Sequence, residues 1–248
     1  MSSLLTSSLF AVLVLWSAIS RAGCDRKAFK IAIDVGHTLT HPGARSARGV
    51  DEYVFNRTLA ARLRALLALR GFPQAFLINA EGADVALLER TERARAAGAD
   101  VFISIHHDSV QESYLTAWHY AGAEQRYCDR FAGYSLFISN ENQAREASIA
   151  LAESVGRELQ HNAFARSLHH AQDIPGEARP LLDRELGIYR FDELIVLKTA
   201  TMPALLVESG VIVNRNEEVL LRNPAYQHAF VRALAHGLET YCDARAGH

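Results

Sequence analysis

The chain has 248 residues, 49% of them hydrophobic and 22% charged, with 15 Gly, 6 Pro and 3 Cys. That composition argues against a disordered, collagenous or disulfide-dense chain, and the length suits one sizeable domain or at most two small ones. A formal net charge of −2 gives no electrostatic reason to expect nucleic acid as a partner, and three scattered cysteines exclude a four-thiolate zinc site.

Leu9 to Ile19 reads LFAVLVLWSAI, an uncharged apolar run. It is shorter than the roughly 20 residues of a membrane span. Small residues at Ser20 and Ala22 fit a signal-peptidase site cleaving after Ala22, which divides the chain into a signal peptide at 1–22 and a mature domain at 23–248. No Lys or Arg precedes the run, and the competing reading is an uncleaved anchor. Arg21 stands where a lipoprotein signal wants Leu, which argues against lipidation of Cys24. Export to the periplasm or the exterior permits a disulfide. Cys24, Cys128 and Cys242 allow three single pairings; the preferred one, Cys24 with Cys242, ties the mature N-terminus to the last helix.

Phe29 to Val35 is short, apolar and β-branched, and reads as a buried strand ending at Gly36. Glu52 to Leu69 has helical spacing, with Val54, Leu59, Leu63, Leu66 and Leu67 in an apolar stripe and Gly71 as the stop. Gln74 to Ile78 reads as a second strand. Asp84 is placed to cap a helix running through about Ala97. Asp100 to His106 is a third strand, Tyr134 to Ile138 a fourth, and Asn142 to Gln160 a helix. Ala204 to Val207 is a further buried strand, and Glu217 to Tyr241 a helical region interrupted at Asn223 and Pro224. Strands alternate with helices, so the expected fold is α/β: a single domain with a mostly parallel twisted sheet and helices on both faces. The stretches 109–133 and 163–194 exceed ordinary connections and have the length of substrate-shaping loops or lids. As a lid, the second would bring Glu177, Asp183 or Glu185 towards the site.

In such sheets ligands bind beyond the carboxyl ends of the strands. Three strand ends here carry unusual polar residues: Asp34-Val35-Gly36-His37, His106-His107-Asp108 and Glu208-Ser209-Gly210. Glu52 opens the first helix shortly after the first of these ends. Two imidazoles and one carboxylate suit Zn²⁺ with one position left for water, and Glu208 is then free to act as general base. The bland readings are a structural role for strand-end histidines, a helix-dipole role for Glu52 and an ion-pair role for Glu208. Alternation along the strand does not choose between His106 and His107, because both faces of the sheet are covered.

At these residues the sequence resembles the zinc-dependent N-acetylmuramoyl-L-alanine amidases of the amidase family 3 type. Ile33-Asp34-Val35-Gly36-His37 is similar to the family's I-D-P-G-H, and Glu52 with Asn56 and Leu59 to E-x-x-x-N-L. Leu88-Glu89-Arg90-Thr91 followed by Ala99-Asp100 resembles L-x-x-R-T…A-D. Ser104-Ile105-His106-His107-Asp108 resembles S-I-H-A-N, and Pro203 to Gly210 with Asn214 and Glu217 resembles P-A-x-L-V-E-x-G-F-x-S-N-x-x-E. The motifs occur in the family's order from about Ile31 to Leu238. Val35, Thr38, Asp108 and Val211 depart from the pattern; Asp108, in place of Asn, adds negative charge.

The resemblance implies one Zn²⁺ held by His37, Glu52 and His106, and thereby selects His106 over His107. It implies Glu208 as the catalytic carboxylate, and peptidoglycan or muropeptides as substrate, cut between N-acetylmuramic acid and L-alanine. Asp34 and Asp108 are candidates for orienting ligand histidines. His107, His119, His161, His169 and His170 are read as ordinary polar residues. A monomer is expected, and any activator protein is unidentified. The rival functions are a zinc peptidase or amidase acting on free peptides and a non-catalytic wall-binding protein of the same fold.

Overall fold

The first buried strand, β1 (Ile31–Val35), lies between two parallel neighbours, β2 (Phe76–Ile78) and β3 (Val101–Asp108). The computed structural model describes residues 24–245, so the segment read as a signal peptide lies outside the described residues. Between the strands run α1 (Glu52–Leu69) and α2 (Leu87–Ala96). A two-stranded antiparallel hairpin, β4 (Thr116–Tyr120) and β5 (Ala123–Tyr127), fills much of the 109–133 stretch. β6 (Ser135–Ile138), α3 (Arg145–His161), β7 (Leu181–Asp183), β8 (Ile188–Arg190), α4 (Ile195–Thr199), β9 (Ala204–Val211), α5 (Arg215–Arg222) and α6 (Pro224–Arg245) complete the chain.

The seven-stranded sheet has the order β2-β1-β3-β9-β6-β8-β7. It is parallel from β2 to β9 and between β6 and β8; β6 runs antiparallel to β9 and β7 antiparallel to β8. The expected mostly parallel α/β fold is therefore present. Alternate residues of the central strands feed two cores. Ile31, Ile33, Ile103, Ile105, Leu205 and Val207 face α1, α3 and α6. Ala32, Phe102, Phe137, Tyr189 and Leu206 face the side covered by Ala94 of α2 and Val196 and Leu197 of α4. Fully burying a large apolar side chain is worth about 1.5–3 kcal/mol, so these two layers fix the order and register of the strands.

The local signals held in most places and shifted in a few. α1 spans the expected residues, but its buried face is Tyr53, Phe55, Asn56, Leu59, Ala60, Leu63 and Leu67, whereas Val54 is exposed. α2 begins at Leu87 rather than after Asp84, whose carboxylate is engaged by the Thr38 hydroxyl and the His41 ring. β3 continues through Asp108 and β9 through Val211, each beyond its apolar run. Asn223 and Pro224 do break the last helical region, separating α5 from α6. Cys24 and Cys242 form the preferred disulfide with Cα atoms 5.4 Å apart, and Cys128 is free and buried. Among the described residues no helix is long and apolar enough to cross a membrane.

Candidate metal centre

β1, β3 and β9 are adjacent, and their carboxyl ends deliver the polar residues to one place. His37 follows β1 in a left-handed conformation, φ 69°, that side chains rarely adopt. Its carbonyl accepts from two donors, Arg90 Nη2 and Asn79 Nδ2, each at 2.8 Å, while Arg90 Nη1 donates to the Val35 carbonyl two residues earlier. Arg90 is itself buried and paired with Asp34 at 3.0 Å, while Ser104 donates to the other Asp34 oxygen at 2.7 Å. A strained turn persists only where its surroundings over-determine it. Asp34 thus touches neither His37 nor His106; it anchors the guanidinium that holds the His37 backbone.

Glu52 opens α1 and points into the gap between His37 and His106. Its Oε2 lies 2.9 Å from His37 Nε2, and its Oε1 lies 3.1 Å from His106 Nδ1. The imidazole rings stand edge to face with centroids 4.9 Å apart. Ala44 N–H donates to Oε2 and His107 N–H to Oε1, each at 3.2 Å. Asn56, one helical turn on, donates from Nδ2 to Oε1 at 3.0 Å and to the Gly36 carbonyl at 3.2 Å. Burial pushes the Glu52 carboxyl up, but hydrogen bonds from His106 and His37 and their charges outweigh it and hold the group well below the usual carboxylate range.

His107 turns the other way. Its Nδ1 pairs with Asn56 Oδ1 at 2.8 Å against the Phe55 ring, and burial drives its pKa down to about 3, so it is a neutral packing residue. The fold therefore brings His37, Glu52 and His106 together and excludes His107. Their ligand atoms all lie within 4.8 Å of one another. Glu208 sits directly across from His106 in the β3–β9 pair. Burial, then the charges of Asp108 and Glu52, push its carboxyl well above the usual range, and its Oε2 is buried without a partner. Ser135 lies opposite Glu208 in the β6–β9 pair.

Two glycines make room. A Cβ at Gly36 would lie 2.4 Å from the His106 ring, and one at Gly43 (φ +80°) would lie 2.4 Å from Glu52 Oε2 and 2.7 Å from His37 Nε2. The donor set, the orphaned Glu208 oxygen and these glycine-cleared approaches fit a Zn²⁺ ion. Beside the centre, the 44–46 loop, residues 109–115 and β5 border a cavity of about 390 Å³.

Several residues of the site carried no role in the sequence reading. Asn56 could have been found from its i+4 spacing to Glu52. Arg90, Asn79 and Gly43 had no such local signal, because their partners are distant in the chain. Asn214 caps α5, accepting from Asn216 and Glu217 N–H at 3.0 Å, and Glu217 accepts from Val211 and Gly133 N–H. These two motif residues set the path of the chain after β9. Asp108 does not orient His37 or His106; its Oδ2 lies 2.8 Å from His170 Nε2. The acidic residues of the 163–194 stretch do not reach the centre: Asp183 caps a turn, Glu185 pairs with Arg166, and Glu177 packs its carbonyl against His170.

A family model described as N-acetylmuramoyl-L-alanine amidase matches residues 31–240. The chain is 27% identical over 220 residues to N-acetylmuramoyl-L-alanine amidase AmiA of Salmonella typhimurium, covering 85% of this chain and 75% of that protein. Among solved structures it is similar to N-acetylmuramoyl-L-alanine amidase AmiC2 of Nostoc punctiforme, with 25% identity, a TM-score of 0.65, and coverage of 86% of this chain and 96% of that one. The CwlD amidase of Clostridioides difficile, solved in complex with the GerS lipoprotein, shares the fold at 20% identity and a TM-score of 0.61, over 86% and 98% of the two chains. The match spans both cores and every strand end that supplies the metal centre, and the chain belongs to the N-acetylmuramoyl-L-alanine amidase family.

Proposed function

We propose that the chain is a zinc-dependent hydrolase that cuts the amide bond between N-acetylmuramic acid and the L-alanine of the peptidoglycan stem peptide, with His37, Glu52 and His106 as metal ligands and Glu208 as the acid–base group. The observation that carries this reading is the placement of an orphaned, desolvated carboxylate directly across the β3–β9 pair from a His–Glu–His cluster. Zinc in that cluster supplies Lewis-acid polarisation of the amide carbonyl and lowers the pKa of water. Glu208 takes a proton from the attacking water and passes it to the amide nitrogen as the C–N bond breaks. An amide nitrogen leaves poorly unless protonated, so delivery of that proton by Glu208 is as necessary as the attack. Asn56, with the Ala44 and His107 N–H groups, keeps Glu52 aimed. Arg90 and Asn79 keep the His37 turn in place. The cavity beside the centre, with Arg45, Arg126, Glu112 and Glu124 on its walls, is a place for the wall fragment to lie.

The apolar run at Leu9–Ile19 and the small residues at Ser20 and Ala22 support export and cleavage after Ala22. The Cys24–Cys242 disulfide suits an oxidising compartment. The deciding experiment is mass analysis of products after the chain, with its signal removed, is incubated with purified muropeptides, with and without a chelator. The expected products are a glycan freed from a peptide beginning with L-alanine, and none when metal is removed. Cleavage confined to bonds within free peptides would establish the peptidase instead. Binding to the wall without any product would establish a non-catalytic protein.

A further inference from the structure

We propose that Asp108, His169 and His170 form a second divalent-metal site of the zinc class, which fastens the 163–194 connection to the end of β3. Asp108 ends that strand two residues beyond His106, and the two histidines open a 3-10 turn more than sixty residues later. Asp108 Oδ2 lies 2.8 Å from His170 Nε2 and 3.5 Å from His169 Nε2, and the three ligand atoms fall within 4.8 Å of one another. Donors about 2.0–2.1 Å from a tetrahedral zinc are separated by ~3.3 Å, so these gaps bracket what the ion needs. The corresponding gaps in the His37–Glu52–His106 centre are 2.9 and 3.1 Å.

The outer nitrogens show the same thing from behind. His170 Nδ1 lies 3.3 Å from the Glu177 carbonyl, which can only accept, so that nitrogen carries a proton. Nε2 then faces a carboxylate oxygen at 2.8 Å, a contact that either a second ring proton or a metal ion between the two atoms satisfies. His169 Nδ1 pairs with the Ser167 hydroxyl at 2.8 Å, leaving Nε2 buried with no hydrogen-bond partner and directed at Asp108. A ring nitrogen held from behind by a carbonyl or hydroxyl while the other faces a carboxylate is the usual support of a metal-bound histidine. A proton on His170 satisfies one of the two facing nitrogens; a divalent ion satisfies both. Asp108 also replaces the Asn of the motif, giving the site the negative charge that a neutral amide lacks.

The rings are packed into the fold. His170 stands edge-on to Phe137 at 5.1 Å and to Tyr189 at 5.8 Å, and His169 lies against Phe131 at 5.0 Å. With the Asp108, His169 and His170 side chains only 9%, 0% and 12% exposed, an ion here acts as a clamp rather than as a substrate site.

Metal analysis after desalting from excess Zn²⁺ tests the proposal and does not depend on amidase activity. The chain with its signal removed is expected to retain two equivalents. Glu52→Ala and His170→Ala should each retain one, and the double variant none. In the Glu52→Ala background, Zn²⁺ should raise the thermal midpoint and protect residues 163–180 from limited proteolysis, and Asp108→Asn should abolish both effects. If Glu52→Ala fails to fold, His37→Gln takes its place. One equivalent in the parent chain, or a second equivalent that survives both His170→Ala and Asp108→Asn, overturns the site and leaves Asp108–His170 as an ion pair.

Discussion

β3 feeds two clusters of metal-ligating residues from positions only two residues apart, and the two differ in how they meet water. In the His37–Glu52–His106 centre the histidine side chains are 32% and 18% exposed. In the Asp108–His169–His170 cluster the histidines are 0% and 12% exposed. The first draws its ligands from the ends of conventional strand–helix connections, where the sheet opens to solvent. The second draws two of its three from a long connection folded down over Phe137 and Tyr189. Similar donors thus suit opposite tasks: an accessible site can exchange water and substrate, whereas a sealed one can only hold chain segments together.

The sharpest way to break that contrast is a paired substitution. Glu208→Gln should lower muropeptide cleavage by about 10²–10⁴-fold with the zinc content unchanged, because only the acid–base group is lost. His170→Ala should lower turnover by less than about tenfold, below the range that marks an acid–base group; a larger loss would place the second cluster in the chemistry. Next in size is Arg90→Ala, which strands Asp34 without its buried partner and releases the His37 turn. A loss of about 3–5 kcal/mol is expected in denaturant titration. Gly43→Ala pushes a methyl group against Glu52 and His37. It should weaken zinc affinity at the open centre by about 10- to 100-fold in competition with a chelator and leave the sealed cluster's affinity alone.

A pH-dependent effect concerns Glu217, whose carboxyl burial pushes up to about 7 from 4.5 while N–H groups of Val211 and Gly133 pull it down. Between those pH values the folded chain holds a proton that the unfolded chain has released. Its contribution to stability is therefore full below about pH 4.5 and lost as the pH rises through about 7. Glu208, also raised, acts with the same sign; Glu52, depressed, acts with the opposite sign and only in acid. Glu217→Gln should flatten the fall of the melting temperature over that window, removing up to about 3 kcal/mol of pH dependence.

What could be read in the sequence follows from how far each interaction reaches along the chain. β1, β3 and β9 announce themselves as short β-branched runs, and Glu52 and Asn56 are one turn apart on a helix. The choice of His106 over His107 came from the resemblance; physically it is made by Asn56 and Phe55, which claim the other ring. β7 and β8 are only three residues each and β4 and β5 are largely exposed, so neither pair carries a periodic apolar signal. His169 and His170 read as ordinary polar residues because their partner, Asp108, lies some sixty positions earlier. The Asp84 cap failed for a related reason: its carboxylate is taken by Thr38 and His41, from a loop brought near only by the fold.

The bridge between Cys24 and Cys242 makes the described chain close to a covalent ring, with its two ends neighbours at the amino-terminal edge of β1 and β3. The candidate metal centre lies at the other pole, about 16 Å away along a five-residue strand. Anything joined to the described chain at Cys24 or just after Cys242 therefore starts on the side opposite the candidate metal centre. The same geometry invites permutation: joining the ends of the described chain and cutting the ring at the Ala121–Gly122 hairpin tip would move the point of attachment to a different side of the molecule with both cores intact.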